Sequence, residues 1–188
     1  MLSTADNELV CRTGPGTPMG NLMRRYWVPV MLSSEIAEPD CAPVRVKLLN
    51  ENLVAFRATD GSVGLMDERC PHRNASMFFG RNEENGLRCV YHGWKFDVTG
   101  QCTDMPSEPA ESNFKRKVKI EAYPCVERGG IVWTYMGPPE LKPGFPELEW
   151  IHVPANQRYA TRHIQECNWF QAFEGGFDTS HLSFLHRG

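Results

Sequence analysis

"CPHRNASMFFGRNEENGLRCVYHGW" runs from Cys70 to Trp94. It holds two short boxes, Cys70-x-His72 and Cys89-x-x-His92, with sixteen residues between His72 and Cys89. Thiolates and imidazoles together suit zinc or an iron–sulfur cluster. Zinc normally draws like pairs of ligands from one short loop that wraps a single ion, whereas each box here supplies one sulfur and one nitrogen. If one iron takes Cys70 and Cys89 and a second takes His72 and His92, the two loops clamp a [2Fe-2S] cluster from opposite sides. Neutral imidazoles on one iron leave less negative charge on such a cluster, so it accepts an electron more readily. A structural zinc module is the alternative, and it predicts a colourless protein. Four buried residues at accidental spacing are the blandest reading, which two ordered boxes at strand-to-loop corners argue against.

The flanking sequence predicts short strands. "VRVKLL" and "LVAFRAT" alternate across the turn "NEN", and "VGLMDERC" follows "DGS" into the first box. "GLRCVYHG" reads as a strand entering the second box, and "GWKFDVTGQCT" as a hairpin turning at Thr99 and Gly100. "KVKIEAYP" and "GIVWTYMG" read as a further pair joined by "ERGG". The fold expected is therefore mainly β, an antiparallel sandwich or small barrel over residues 42–137. Ahead of it, 1–41 is an N-terminal helix and loop segment, with a helix over Ser3 to Val10 capped by Ser3 or Thr4. "TGPGTPMG" (13–20) reads as loop; its prolines and the absence of Gly-Lys-Ser/Thr argue against a phosphate cradle. Residues 138–149 form a Pro-rich linker, and 150–188 begin an α+β domain with a strand at "QRYATRHI" and a helix weakened at Gly175 and Gly176.

Composition narrows the class. The 188 residues carry a net charge of −3, which gives no reason to expect nucleic acid. The dense basic run in "FKRKVKI" reads as a solvated strand face, with a partner-docking patch as the alternative. No apolar stretch reaches the roughly 18 residues of a membrane span, and acids stand where a signal peptide has lysines. The chain is expected to be cytoplasmic. Seven cysteines are an odd number without a framework spacing, which favours metal binding over disulfides.

The boxes and their surroundings resemble the Rieske motif. Ala75 and Tyr91 stand where Rieske proteins of respiratory complexes carry an extra cysteine pair, so that bridge cannot form. "CPHR" and "CVYHGWKFD" are instead similar to Rieske non-haem iron aromatic ring-hydroxylating oxygenases, alpha subunit. "LVCRTGPGTPMGNLMRRYWVPV" and "YPCVERGGIVWTYMGPP" look most like the phthalate dioxygenase branch.

The tail "NWFQAFEGGFDTSHLSFLHRG" carries the second part of the resemblance. Asp178 and His181 would share one face of a helix, while the spacing of His181 to His186 requires a bulge or a helix end. Two histidines with an open side fit two thirds of a facial triad for non-haem Fe(II). The stretch resembles the family's Glu-x3-Asp-x2-His-x4-His signature, matched by Glu174, Asp178, His181 and His186. The resemblance implies that His181 and His186 bind the mononuclear iron. It implies too that Asp178 bridges to the cluster ligand His92 across a subunit boundary, with Asn168 and Glu174 pinning the helix. The family's third, carboxylate ligand is absent here, so the chain looks C-terminally truncated.

Taken together, the resemblance implies the terminal oxygenase component of a multicomponent system. A flavin/iron–sulfur reductase using NAD(P)H would load the cluster, and O2 would hydroxylate an aromatic, carboxylated substrate. The assembly implied is a homotrimer or stacked trimers. The alternative is a Rieske ferredoxin-type electron carrier without catalytic iron, which would have no use for the tail histidines.

Overall fold

The computed structural model describes residues 2–109 and 111–187. Among the described residues ten short strands form three antiparallel sheets. The first sheet has β1 (Trp27–Leu32), β9 (Cys125–Arg128) and β10 (Ile131–Tyr135) in the order β1-β10-β9. The second has β2 (Val44–Leu48), β3 (Glu51–Arg57) and β4 (Val63–Asp67), in chain order. The third is β5 (Arg81–Glu83), β6 (Gly86–Arg88), β7 (Lys95–Phe96) and β8 (Cys102–Asp104), also in chain order. The mainly β, antiparallel expectation holds.

β3 is the shared wall of two cores. Successive strand side chains point to opposite faces, so Leu53 and Ala55 join Val30, Ile36, Leu65 and Val132 against the first sheet. Val54 and Phe56 point the other way, to Met66, Met77, Leu87, Trp94 and Phe96 beneath the ligand loops. Each such large side chain contributes about 1.5–3 kcal/mol on burial. A close approach sits at the pair Phe56 and Gly64, where a Cβ on Gly64 would lie 2.3 Å from the Phe56 ring.

Several local expectations change. The segment 1–41 contains α1 (Thr4–Cys11), capped by Ser3 as expected. Within the stretch read as loop, α2 (Pro18–Met23) starts behind the Thr17 cap, with Pro18 in the first turn. β1 follows in the same segment, and its Pro29 opposes Trp133 on an edge strand beside a register shift. An edge position asks no outward N–H of a proline, so the ring does not forbid the strand.

"KVKIEAYP" is not a strand. Phe114–Lys117 is a 3-10 turn, and Lys119 and Ala122 make only single bridges, to Gln101 and Met66. The partner of β10 is Cys125–Arg128, across the left-handed pair Gly129 and Gly130. The Pro-rich stretch is docked rather than free. Phe145 packs edge-on against Trp27 and Trp133, and Trp27 Nε1 donates to Pro143 O at 3.0 Å. "QRYATRHI" forms no strand. After α3 (Glu149–His152), the tail holds α4 (Trp169–Phe177) and α5 (Leu182–Leu185). α4 runs through Gly175 and Gly176 and ends one residue later, at Phe177. Among the described residues no helix is long and apolar enough to cross a membrane.

Candidate metal centre

The two boxes fold into two loops of the same form. Cys70 N–H donates to Ala75 O at 2.9 Å, and Asn74 N–H donates back to Cys70 O at 2.9 Å. In the second loop Cys89 N–H donates to Trp94 O at 2.9 Å, and Gly93 N–H to Cys89 O at 3.0 Å. Both turns close through a left-handed residue, Asn74 (φ 56°) and Gly93 (φ 76°). Asparagine and glycine are the residues that reach this conformation at least cost. Each loop thus offers its cysteine at the start of the turn and its histidine inside it.

The four side chains meet as two pairs. Cys70 and Cys89 are 1% and 2% exposed. Burial pushes the Cys70 thiol up to about 11, and the neighbouring Cys89 adds to the rise, while backbone N–H groups of His72 and Arg73 oppose it. The imidazoles of His72 and His92 lie 4.4 Å apart, centroid to centroid. Burial, then His92 and Arg73, hold His72 below the usual imidazole range. Among the described residues no three His, Cys, Asp or Glu side chains close on one ion. A buried thiol pair and a pair of imidazoles, with backbone N–H groups turned to a sulfur, is a donor set that fits a two-iron cluster.

Charged side chains brace both loops. Behind the first, Glu68 accepts from Ser76 Oγ at 2.5 Å and from Arg45 Nε at 3.0 Å. Arg45 in turn lies over the Phe78 ring, 3.9 Å from its centroid. Behind the second, Arg88 Nη1 donates to Gly93 O and to Asp104 Oδ2, both at 2.7 Å, while its Nε reaches Glu83. Trp94 stacks on His72 at 4.3 Å, nearly parallel, and Tyr91 leans on His92 at 3.9 Å. None of these supports was foreseen in the sequence. Arg88 adjoins Cys89, but nothing local marks an arginine as buried.

The tail is arranged differently from the helical face expected. Asp178 is the cap that ends α4, in extended backbone, and His181 begins α5. The two still meet, with His181 Nδ1 3.4 Å from Asp178 Oδ2. His186 ends the same short helix, which brings its ring 5.3 Å from that of His181. A helix end was one of the two ways their spacing could be met. Asn168 Oδ1 accepts from Gln171 N–H and so caps α4, while Glu174 accepts from Gln171 Nε2 at 3.4 Å and stays exposed.

The description "Rieske [2Fe-2S] domain" matches residues 26–125. Over 188 residues the chain is 52% identical to the 3-chlorobenzoate-3,4-dioxygenase oxygenase subunit of Comamonas testosteroni, covering all of this chain and 43% of that protein. It is 50% identical to the phthalate 4,5-dioxygenase oxygenase subunit of Pseudomonas putida, covering 99% of this chain and 42% of the relative. The chain thus spans less than half the length of these curated relatives. Among solved structures, NdmA of Pseudomonas putida CBB5 superposes with a TM-score of 0.72 at 29% identity, covering 88% of this chain and 51% of that one.

Proposed function

The chain belongs to the Rieske [2Fe-2S] domain family, and we propose that it serves in the terminal oxygenase component of an O2-dependent system hydroxylating an aromatic, carboxylated substrate. The observation that carries this reading is the pairing of donors: two buried thiols side by side, and two imidazoles at 4.4 Å, on matched loops. Cys70 and Cys89 hold one iron of the cluster and His72 and His92 the other. When bound, the cluster supplies single electrons and a mononuclear iron supplies O2 activation.

The tail favours the oxygenase over the carrier alternative. An electron carrier needs no second group of imidazoles, yet His181 and His186 stand at the two ends of one short helix, with Asp178, the cap of α4, beside His181. In this reading His181 and His186 are two ligands of the mononuclear iron. Asp178 holds the His181 ring through Nδ1 and fixes its tautomer. In a homotrimer the same carboxylate would bridge to His92 of the partner subunit. A reductase drawing on NAD(P)H is the electron source, and a cytoplasmic location belongs to the same reading. The oxygenase names carried by relatives at 52% and 50% identity support it.

The test is the EPR spectrum of anaerobically purified protein after dithionite reduction, with iron and zinc measured on the same sample. A rhombic signal of low average g, with iron in excess of the cluster's own, is expected. A colourless, EPR-silent protein containing zinc would overturn the reading.

A further inference from the structure

The basic run in "FKRKVKI" has four cations and no acid within seven residues of a chain whose net charge is −3. It folds as a 3-10 turn, Phe114–Lys117, running on to Lys119. Lys115, Arg116, Lys117 and Lys119 are all exposed. Among the described residues none of them forms an ion pair, and neither does Arg73, the exposed neighbour of His72. Asp104 and Glu108 share a groove with Lys115, but Arg88 holds Asp104, and Ser112 donates to Glu108.

The strip is tied to the β7–β8 hairpin, which follows the second ligand loop. Gln101 Nε2 donates to Lys115 O and to Val118 O, each at 3.1 Å, and Cys102 N–H donates to Val118 O at 3.1 Å. These bonds pin the turn to β8 and its hairpin, so the cations are presented on a rigid base. Phe114, which opens the turn and is 44% exposed, meets Trp94 edge-on at 6.2 Å. Trp94 in turn stacks on His72 at 4.3 Å. The basic surface is therefore two aromatic contacts away from one imidazole. The exposed groups on the other imidazole's loop, Val90 and Tyr91, are uncharged.

We propose that Lys115, Arg116 and Lys117, with Arg73 and Lys119 beside them, form the docking surface for an electron-donor protein that presents an acidic face. Given the electron-receiving role proposed above, each docking event moves one electron: the donor is oxidised by one, and one ferric iron of the cluster becomes ferrous. No covalent bond forms or breaks. Unpaired cations of one sign steer an oppositely charged partner and orient it, and that steering weakens with salt. Electrons then enter on the His72 side, by Phe114 and Trp94, and leave on the His92 side. The two traffic directions use different faces, so donor and acceptor need not compete.

The test uses the full-length, cluster-loaded protein and the charge reversal K115E/R116E/K117E, with an acidic plant-type ferredoxin as probe. Two quantities are measured at low and high salt: the Kd of the complex, and the rate of cluster reduction by reduced ferredoxin. The neutral photoreduced deazaflavin radical serves as a small, uncharged donor. The reversal is expected to weaken binding and slow reduction by on the order of tenfold at low salt, with the difference fading as salt rises. Reduction by the deazaflavin radical and the EPR signal stay as in the parent. Unchanged Kd and rate in the variant would overturn the proposal. An equal slowing with the deazaflavin radical would overturn it too, since the substitutions would then act on the cluster and not on docking. A parent protein without the rhombic signal would sink the oxygenase reading, and this proposal with it.

Discussion

The indole of Trp94 lies parallel to the imidazole of His72, with 8° between the planes and 4.3 Å between centroids. His72 also meets His92 edge-on, at 4.4 Å. Trp94 is also part of the core under the ligand loops, so one side chain ties the orientation of a ligand to the packing of the domain. Replacing it by Ala is expected to cost about 3 kcal/mol or more. Trp94→Phe keeps a stacking surface and should retain most of that stability. Urea unfolding of the two variants checks the order, and a wild-type midpoint for Trp94→Ala would refute it.

Arg88 is expected to act on the second loop alone. Its removal frees the Gly93 carbonyl, Glu83 and Asp104 at once. Two of these partners are partly solvated, so the cost of Arg88→Met should be about 2 kcal/mol and not the full price of a broken buried pair. Cluster content per chain, read from visible absorbance after reconstitution, should fall with it. Arg88→Lys, which cannot span the same three partners, should recover charge but little cluster content.

Acid sensitivity should centre on Glu127. Arg57 joins β3 to β9 by a two-bonded pair with this carboxylate, at 2.8 and 2.7 Å. The Arg57 bonds hold Glu127 below the usual carboxylate range. A carboxylate lowered on folding stabilises the protein above its unfolded pKa, and that contribution is lost as pH falls through the folded value. Stability from urea unfolding should therefore drop between about pH 5 and pH 3 in the parent. In Glu127→Gln that drop should be shallower, with lower stability at neutral pH. Parallel curves for the two proteins would count against the assignment.

Gly64 is expected to tolerate no side chain. An added Cβ would fall 2.3 Å from the Phe56 ring, in the middle of β4. Phe56 is fully buried and has no room to withdraw, so Gly64→Ala should cost about 1–3 kcal/mol by overpacking. Gly64→Ala combined with Phe56→Leu should lose less than the sum of the single changes. Additive losses would show that the two positions do not press on each other.

Asp178→Asn should separate the two metal sites. Among the described residues the Asp178 carboxylate meets only Ser180 N–H and His181 in hydrogen bonds and ion pairs. On the oxygenase reading proposed above, the reduced cluster spectrum of the full-length variant is expected to stay intact while product formation is abolished. Turnover at the parent rate would remove Asp178 from the route between the metals.

The sequence by itself determined the paired Cys–His boxes, the Rieske resemblance they carry, the antiparallel β class and most hairpins. These depend on short spans. Four donors fall within Cys70 to His92, and turns such as Thr99–Gly100 and Gly129–Gly130 are set by residues that tolerate positive φ. The tertiary structure alone decided how β1 closes on β10, a pairing across about a hundred residues that leaves no local pattern. It also decided that Lys117–Pro124 is not a strand, because the edge it would occupy beside β10 is taken by Cys125–Arg128. The same holds for the supports of the site. Glu68, Arg88 and Trp94 read as ordinary surface or core residues until folding brings Ser76, Asp104 and His72 to them. The chemistry of a ligand is written in its type and spacing, whereas its orientation is set by partners distant in the chain, and burial is what makes those partners matter.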